Sequence, residues 1–227
     1  MIDDHIKNVE EFQKTVDKEL PYLPLFASPL MAIRLDLDLE KLIEFSFQLQ
    51  NKDKKSVQLS NKGGWQSGDI GEEKHEEFIR LKKEIYQYLQ VYQIKVFWGM
   101  RFEEENIKHE LHNMWININD KYHYNEWHIH SHSTLSGVYY IKHDGSSENG
   151  NIMFKNPRGL YMALSHFPPG IVKHTNEVTS EIYNVKPQSN MLYIFPSWLE
   201  HKAELNLKDD TRISLSFNST PILEKKS

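Results

Sequence analysis

Residues 212–218 run Arg212-Ile213-Ser214-Leu215-Ser216-Phe217-Asn218, with polar and apolar side chains alternating throughout. Successive side chains of a β-strand point to opposite faces, so the polar residues share one face and the apolar residues share the other. We expect the apolar face to pack against helices and the polar face to line a pocket. An ordinary surface strand, with its polar face in water, is the alternative that this pattern leaves open.

The segments before this strand indicate that helices come first and strands follow. Apolar residues at three- and four-residue spacing predict helices over residues 1–22, 39–50 and 73–92, and Asp38 suits the N-cap of the second. A first strand is expected within residues 25–37. Later runs rich in β-branched and aromatic residues predict strands at 94–102, 111–119, 126–132, 134–142, 151–155, 181–186, 190–196, 200–206 and 211–218.

This order of elements predicts an α+β, mainly β fold with antiparallel sheets. Such a set of strands must protect its edges, either by closing into a barrel or as a two-sheet jelly roll with helices covering one face. Single β-rich domains often run to about 200–250 residues, so we expect one domain over residues 1–227. Its parts would be a mainly helical segment at 1–92, a β core at 93–219 and a tail at 220–227.

Composition excludes several classes of protein. A net charge of −5 argues against a nucleic-acid partner, which usually meets a basic surface. The absence of cysteine excludes disulfides, thiolate zinc sites and cysteine nucleophiles, so any metal must be held by nitrogen and oxygen ligands. The acidic start of the chain is unlike a signal peptide, and no apolar run approaches the ~20 residues that span a bilayer. We therefore expect a cytoplasmic protein with no membrane partner, compatible with a homodimer.

Three histidines and one arginine suggest a metal site beside an anion site. His128 and His130 are two residues apart on a predicted strand, so their imidazoles should point the same way. His201 follows an aromatic strand that ends in a Pro-Ser-Trp turn, from which it can close one side of the metal site. Arg212 suits a carboxylate, with Ser214 on the same face. Each feature taken alone has an ordinary explanation. The pair His128 and His130 could be incidental, and Arg212 could form a structural salt bridge with an acidic residue.

These residues and several further motifs resemble the iron(II)- and 2-oxoglutarate-dependent oxygenases, and in particular a group of bacterial and phage members. The resemblance covers about residues 22–219. Beyond His128-x-His130, it is carried by Ser60-Asn61-Lys62-Gly63-Gly64-Trp65-Gln66-Ser67, Trp115-Ile116-Asn117, Leu135-Ser136-Gly137-Val138-Tyr139-Tyr140, Phe195-Pro196-Ser197-Trp198-Leu199-Glu200-His201 and the stretch 212–218.

The resemblance implies a double-stranded β-helix, a jelly-roll and cupin-like core, with the N-terminal helices packed on one sheet. It also implies Fe(II), 2-oxoglutarate and molecular oxygen as cofactor and co-substrates. The expected reaction hydroxylates a small-molecule or peptide substrate and releases succinate and carbon dioxide. The sequence does not identify that substrate.

The same resemblance assigns roles to individual residues. His128 and His201 would be iron ligands, and Arg212 with Ser214 would bind the distal carboxylate of 2-oxoglutarate. Two further polar contacts with this co-substrate are expected from Asn117 and Tyr140.

His130 stands where most of these enzymes have an acidic ligand. It either coordinates, giving a three-histidine site, or turns away and leaves a position for water. Glu126, which has the same strand parity, is a further candidate ligand. We expect His132 at the surface or behind the ligands.

Two other functions remain open at this point. A cupin-type metalloenzyme that does not use 2-oxoglutarate would share the fold, although residues 131–135 lack the acid that usually follows the second histidine of a cupin. A non-catalytic jelly-roll binding or structural protein is the second alternative. The Gly63-Gly64-Trp65 loop either closes over the pocket or forms a structural turn, and residues 143–182 are expected to form a lid.

Overall fold

The computed structural model describes residues 27–96, 107–159 and 180–223. The predicted helix at 1–22 therefore lies outside the described residues, as does most of the predicted strand at 94–102.

Two helices precede most of the sheet strands: α1 at Leu39–Lys52 and α2 at Glu76–Val96. Asp38 is the N-cap of α1, where its carboxylate accepts a hydrogen bond from the Lys41 N–H at 3.2 Å, as predicted. The helix α2 includes residues 94–96, so the expected start of a strand at 94 is wrong. Extending an existing helix adds a hydrogen bond per residue, and here that outweighs the strand preference of a short β-branched run.

The strands form two antiparallel sheets. In chain order they are β1 Met31–Arg34, β2 Asn61–Lys62, β3 Trp65–Gln66, β4 Ile107–Asn119, β5 Tyr124–His128, β6 Leu135–Lys142, β7 Ile152–Lys155, β8 Ile182–Val185, β9 Met191–Pro196, β10 His201–Ala203 and β11 Arg212–Leu223. The major sheet has the order β1-β9-β6-β11-β4-β3, and the minor sheet has the order β2-β5-β10-β7-β8.

Both long strands of the major sheet extend beyond their predicted ends. β11 continues to Leu223, where it pairs with Ile107 at the start of β4. Residues 220–223 therefore belong to the sheet rather than to a tail. The alternation of polar and apolar residues stops after Asn218, so the pattern marks only the first part of the strand.

The main core lies between the two helices and the major sheet. Its fully buried members include Phe78, Leu81 and Ile85 of α2 and the apolar face of β11, which is Ile213, Leu215 and Phe217. A second, smaller core containing Tyr140, Phe154 and Phe195 lies between the sheets. The structure thus confirms an α+β, mainly β double-stranded β-helix with helices packed on one sheet.

The short strands β2 and β3 were not predicted, and they join the two sheets. β2 pairs with β5 in the minor sheet, while β3 pairs with β4 in the major sheet. The turn between them uses Gly63 at φ +79°, a backbone conformation that favours glycine. Trp65 is buried, and its indole Nε1 donates to the Asp53 carbonyl at 3.0 Å. The Gly63-Gly64-Trp65 loop is therefore a structural turn with Trp65 as its plug.

None of the described helices combines the length and the apolarity that crossing a membrane requires.

Candidate metal centre

The three predicted histidines meet at the end of the minor sheet. His128 is the last residue of β5 and His201 the first of β10, and the two are register partners. His130 lies two residues beyond the end of β5, where its backbone N–H donates to the Ser197 carbonyl at 3.0 Å. Strand pairing and one loop contact thus bring distant parts of the chain to one point.

A β-bulge in β5 decides which side chains face this point. His128 pairs with His201 and Asn125 pairs with Ala203, so three steps along β5 oppose two along β10. A bulge of this kind shifts the alternation of side chains and re-aims the strand. The expectation that Glu126 shares the face of His128 by parity is therefore wrong. Glu126 is exposed and forms an ion pair with Lys62 at 3.4 Å.

The imidazole nitrogens lie close enough together to share one metal ion. One nitrogen from each of His128, His130 and His201 lies within 4.8 Å of the others, and Nε2 of His130 is 3.2 Å from Nε2 of His201. Nδ1 of His128 is 2.7 Å from the Glu126 carbonyl, and Nδ1 of His201 is 2.8 Å from the Leu199 carbonyl. A carbonyl oxygen only accepts, so each Nδ1 carries the proton and each Nε2 offers a lone pair.

Burial keeps these imidazoles neutral. Desolvation, together with the neighbouring His128, lowers the pKa of His130 to about 4. The pKa of His201 lies well below its ordinary value, chiefly through burial and then through the other two imidazoles. Burial also lowers the pKa of His128. Neutral imidazole is the form that binds metal, and three such nitrogen donors suit a divalent first-row ion.

His132 lies at the surface, as expected. It is exposed in a turn at φ +63° and does not belong to the histidine cluster.

Arg212 is buried with only half of its guanidinium paired. It is 1% exposed, and its Nη1 donates to the carbonyls of Asn149 and Glu204, each at 2.9 Å, with Gly150 at 3.4 Å. Nη2 has no hydrogen-bond partner among the described residues. Burial lowers the pKa of Arg212, but the group stays cationic at neutral pH. Because an unpaired buried donor is costly, Nη2 suits an anionic ligand.

One cavity, which we call the inner cavity, connects the histidines to this guanidinium. Its volume is about 50 Å³, and its lining includes all the residues predicted for the site: His128, His130, His201, Arg212, Ser214, Asn117 and Tyr140. The polar face of β11 therefore lines a pocket rather than facing water.

The other polar groups of the inner cavity are available to a ligand. The hydroxyls of Ser214 and Tyr140 make no hydrogen bond with the described residues, and burial raises the pKa of Tyr140, so its hydroxyl remains a donor. Asn117 Nδ2 donates to Ser216 Oγ at 3.3 Å, while its Oδ1 is buried without a partner among the described residues.

Several features of the site were missed from the sequence. The carbonyls that hold Arg212 come from a turn at residues 149–150 and from Glu204. These are backbone groups, so the side chains of these residues do not indicate the contact in the sequence. The Asn149-Gly150 pair marked only a turn. Part of the expected lid at 143–182 is therefore a fixed part of the fold, because Asn149 holds Arg212 and residues 152–155 form β7. Residues 160–179 of the expected lid lie outside the described residues.

A second, larger depression borders the histidines from outside, and we call it the outer cleft. Its volume is about 540 Å³. Trp115, His128 and His130 line both the outer cleft and the inner cavity, and the Trp115 ring lies 5.6 Å from the His130 ring. Gln66 and Asp69 also line the outer cleft, and neither was predicted as a site residue.

Sequence comparison finds a match between the region of the site and one described family. Residues 113–218, which include every predicted site residue, match the profile of the family described as "Putative 2OG-Fe(II) oxygenase". No curated protein matches the sequence at a significant level.

Solved structures with a similar fold include three enzymes of low sequence identity to this chain. A Pseudomonas putida prolyl-4-hydroxylase has a TM-score of 0.54 at 12% identity, over 89% of this chain and 96% of that chain. A Trichoplax adhaerens prolyl hydroxylase, in complex with a hypoxia inducible factor peptide fragment, has a TM-score of 0.57 at 12% identity, over 86% and 85%. The alpha ketoglutarate dependent epimerase SnoN of nogalamycin biosynthesis has a TM-score of 0.52 at 13% identity, over 87% of this chain and 79% of that chain. At these identities the likeness shows the fold.

Proposed function

We propose that the protein is an Fe(II)- and 2-oxoglutarate-dependent dioxygenase that hydroxylates its substrate, because residues 113–218 match the profile of the family described as "Putative 2OG-Fe(II) oxygenase". His128, His130 and His201 would hold the iron, and Arg212 would bind 2-oxoglutarate. Succinate and carbon dioxide would be the co-products. The substrate would be a small molecule or a peptide.

One observation carries the proposal: a half-paired buried guanidinium shares a cavity with three neutral imidazoles. Arg212 Nη2 is without a partner among the described residues, and Nε2 of His201 faces Nε2 of His130 at 3.2 Å. A metal ion bound here would take one nitrogen lone pair from each imidazole in place of this contact. A carboxylate on Nη2 would satisfy the buried donor.

The residues of the inner cavity divide the work of binding the co-substrate. The Nη2 group of Arg212 would donate to the distal carboxylate, and the hydroxyls of Ser214 and Tyr140 are free to donate to the same end. The Nη1 group cannot turn away, because three carbonyls hold it. The co-substrate would therefore be fixed in one orientation, with its keto-acid end towards the histidines.

When bound, iron(II) and 2-oxoglutarate would together activate molecular oxygen, while the protein positions them and excludes water. The three neutral ligands leave the metal with one more positive charge than a site with a carboxylate ligand. That charge favours the dianionic co-substrate.

Hydroxylation is the reaction we favour over other oxidative outcomes of this chemistry. The two prolyl hydroxylases share the fold, but so does an epimerase. The two outcomes differ in one measurable respect, because a hydroxylated product gains one oxygen atom and an epimerised product gains none.

The test is turnover of 2-oxoglutarate to succinate by the purified protein with Fe(II) and oxygen, followed by a substrate screen that reads succinate. We expect slow turnover without substrate, and faster turnover with incorporation of one oxygen atom when a substrate is present. His201→Asn should abolish turnover. His132→Asn is the matched control, since His132 is an exposed histidine outside the cluster, and it should leave turnover unchanged. No succinate above a metal-free blank would overturn the proposal.

A further inference from the structure

The outer cleft lies against the metal centre and is large enough for a substrate group. Its volume of about 540 Å³ falls within the usual range for ligand sites. Trp115, His128 and His130 form the wall that it shares with the inner cavity. A molecule in the outer cleft would therefore present its atoms directly to the histidines.

Gln66 contributes a carboxamide to the lining of this cleft. The residue is 5% exposed and lies on β3, where its backbone is fully committed: the N–H donates to Ser56 Oγ at 2.9 Å and the carbonyl accepts from Val57. Its side chain makes no hydrogen bond with the described residues, yet it lines the cleft. A carboxamide offers both a donor and an acceptor, and an amide group of a ligand complements both.

Asp69 contributes the unpaired charge of the cleft. Its Oδ1 is fixed by the N–H groups of Met114 at 2.9 Å and Gly71 at 3.1 Å, which leaves Oδ2 for a ligand. The other acid that lines the cleft, Glu126, is already paired with Lys62. The described lining contains no lysine or arginine. An anionic group away from the histidine wall would find no lysine or arginine in the described lining, whereas a cationic group would meet Asp69.

We propose that Gln66 and Asp69 are substrate-binding residues, and that the outer cleft takes a ligand with an amide group beside a cationic or uncharged group, not an anionic one. The inference rests on the proposed function for the reaction performed on that ligand. The binding of the ligand itself depends only on the cleft. Gln66 belongs to the motif Ser60–Ser67, and the structural turn formed by Gly63, Gly64 and Trp65 does not explain its presence there. The proposal gives Gln66 a role in binding the substrate.

Four small probes separate the two recognition elements. Nα-acetyl-lysine N-methylamide carries the amides and a cation, its norleucine analogue carries the amides alone, and its glutamate analogue carries the amides and an anion. Butylammonium carries the cation alone. Affinities are measured by ligand-observed NMR on the full chain. We expect the lysine probe to bind most tightly, then norleucine, with glutamate weakest.

Two variants test the residues. Gln66→Met keeps the buried volume but removes the hydrogen bonds, and should weaken the lysine and norleucine probes by roughly 2- to 10-fold while leaving butylammonium unchanged. Asp69→Asn keeps the acceptor for the backbone amides, and should reduce the lysine probe to the affinity of the norleucine probe. Gln87→Met and Glu44→Gln, at exposed helix positions, are the matched controls.

The inference falls if the glutamate probe binds as tightly as the lysine probe, or if Gln66→Met leaves every affinity unchanged. Fe(II) and 2-oxoglutarate titrations of the same variants separate this result from failure of the proposed function. Both ligands should bind the variants as they bind the unmodified protein. A tripeptide with a central lysine distinguishes a peptide substrate from a small molecule that contains an amide. If the tripeptide binds more tightly than the single-residue lysine probe, the substrate is a peptide, and if it binds more weakly, the substrate is a small amide.

Discussion

Arg212 combines two roles within one side chain. Nη1 is held by backbone carbonyls of residues 149, 150 and 204, which fixes the guanidinium in place. Nη2 is left for a ligand. Because Nη1 is held, Nη2 presents its N–H groups to a carboxylate in a fixed direction, whereas a lysine ammonium would act only as a point charge.

Arg212→Lys should therefore weaken 2-oxoglutarate binding by roughly 10- to 100-fold, since a charge-assisted hydrogen bond contributes about 1.5–3 kcal/mol. Fe(II) affinity should change by less than about 2-fold, because no histidine contact depends on Nη2. Anaerobic calorimetry of each ligand measures both effects. Arg80→Lys, on the exposed side of α2, is the control. Equal 2-oxoglutarate affinity in the two variants would show that Arg212 is only structural.

His109 is a buried titratable residue outside the site. It is 6% exposed on β4, with Nδ1 3.0 Å from Ser219 Oγ and Nε2 without a partner among the described residues. Burial lowers its pKa from 6.5 to about 4. Between these values the unfolded chain binds a proton that the folded chain does not, so the free energy of unfolding must fall as the pH falls.

His109→Asn should remove this contribution while keeping a polar atom near Ser219. Between pH 7 and pH 4, the unmodified protein should lose roughly 1–3 kcal/mol more of its free energy of unfolding than the variant loses. Urea unfolding at each pH measures the difference. The histidines of the metal centre are common to both proteins and cancel. Parallel pH profiles would mean that folding does not lower the pKa of His109.

At the scale of elements, the turn at Gly150 sets the position of the guanidinium. Gly150 has φ +89°, and a Cβ added there would lie 2.0 Å from Nη1 of Arg212 and 2.6 Å from the Glu204 carbonyl oxygen. Only glycine lets the backbone approach Arg212 this closely.

Gly150→Ala should displace Arg212 and weaken 2-oxoglutarate binding at least as much as Arg212→Lys does, in addition to lowering stability. Gly145→Ala is the matched control, because Gly145 has φ +79° but its added Cβ would meet only Gln188, at 3.4 Å. Both glycines have positive φ, so both variants carry backbone strain, and only one moves the guanidinium. Thermal unfolding and 2-oxoglutarate titration separate the two effects. Equal co-substrate affinity in both variants would contradict the role of the turn.

The sequence predicted the elements well where periodicity was long, and poorly where it was short. Asp38 and the apolar spacing located α1, and the alternation at 212–218 located β11 and its pocket-facing side. β2 and β3 have two residues each, too few for a pattern. The bulge in β5 was also invisible, which is why strand parity wrongly grouped Glu126 with His128.

At the scale of the whole molecule, the order of helices and strands predicted antiparallel sheets in a barrel or a two-sheet jelly roll, and the resemblance to a known family predicted the double-stranded β-helix with helices on one sheet. The site residues were identified by resemblance, whereas their convergence depends on pairings such as His128 with His201 that no local pattern encodes. The backbone cradle of Arg212 and the cleft residues Gln66 and Asp69 depend on tertiary packing in the same way. Long-range contacts of this kind require the structure.

The fold as a whole shelters one charged site between its two sheets. The histidines come from the minor sheet and the loop after β5, while Arg212 comes from the major sheet. Metal and co-substrate would therefore be bound from opposite sheets, and each should stabilise the position of the other. Binding of 2-oxoglutarate should accordingly depend on the metal.

Anaerobic titration of the purified protein with Fe(II), followed by 2-oxoglutarate, tests this account most directly. We expect one Fe(II) per chain, then one 2-oxoglutarate whose affinity is at least about 10-fold higher with the metal than without it, and loss of both in His201→Asn. Absence of Fe(II) binding, or Fe(II) binding that survives in His201→Asn, would contradict the assignment of the metal to these histidines.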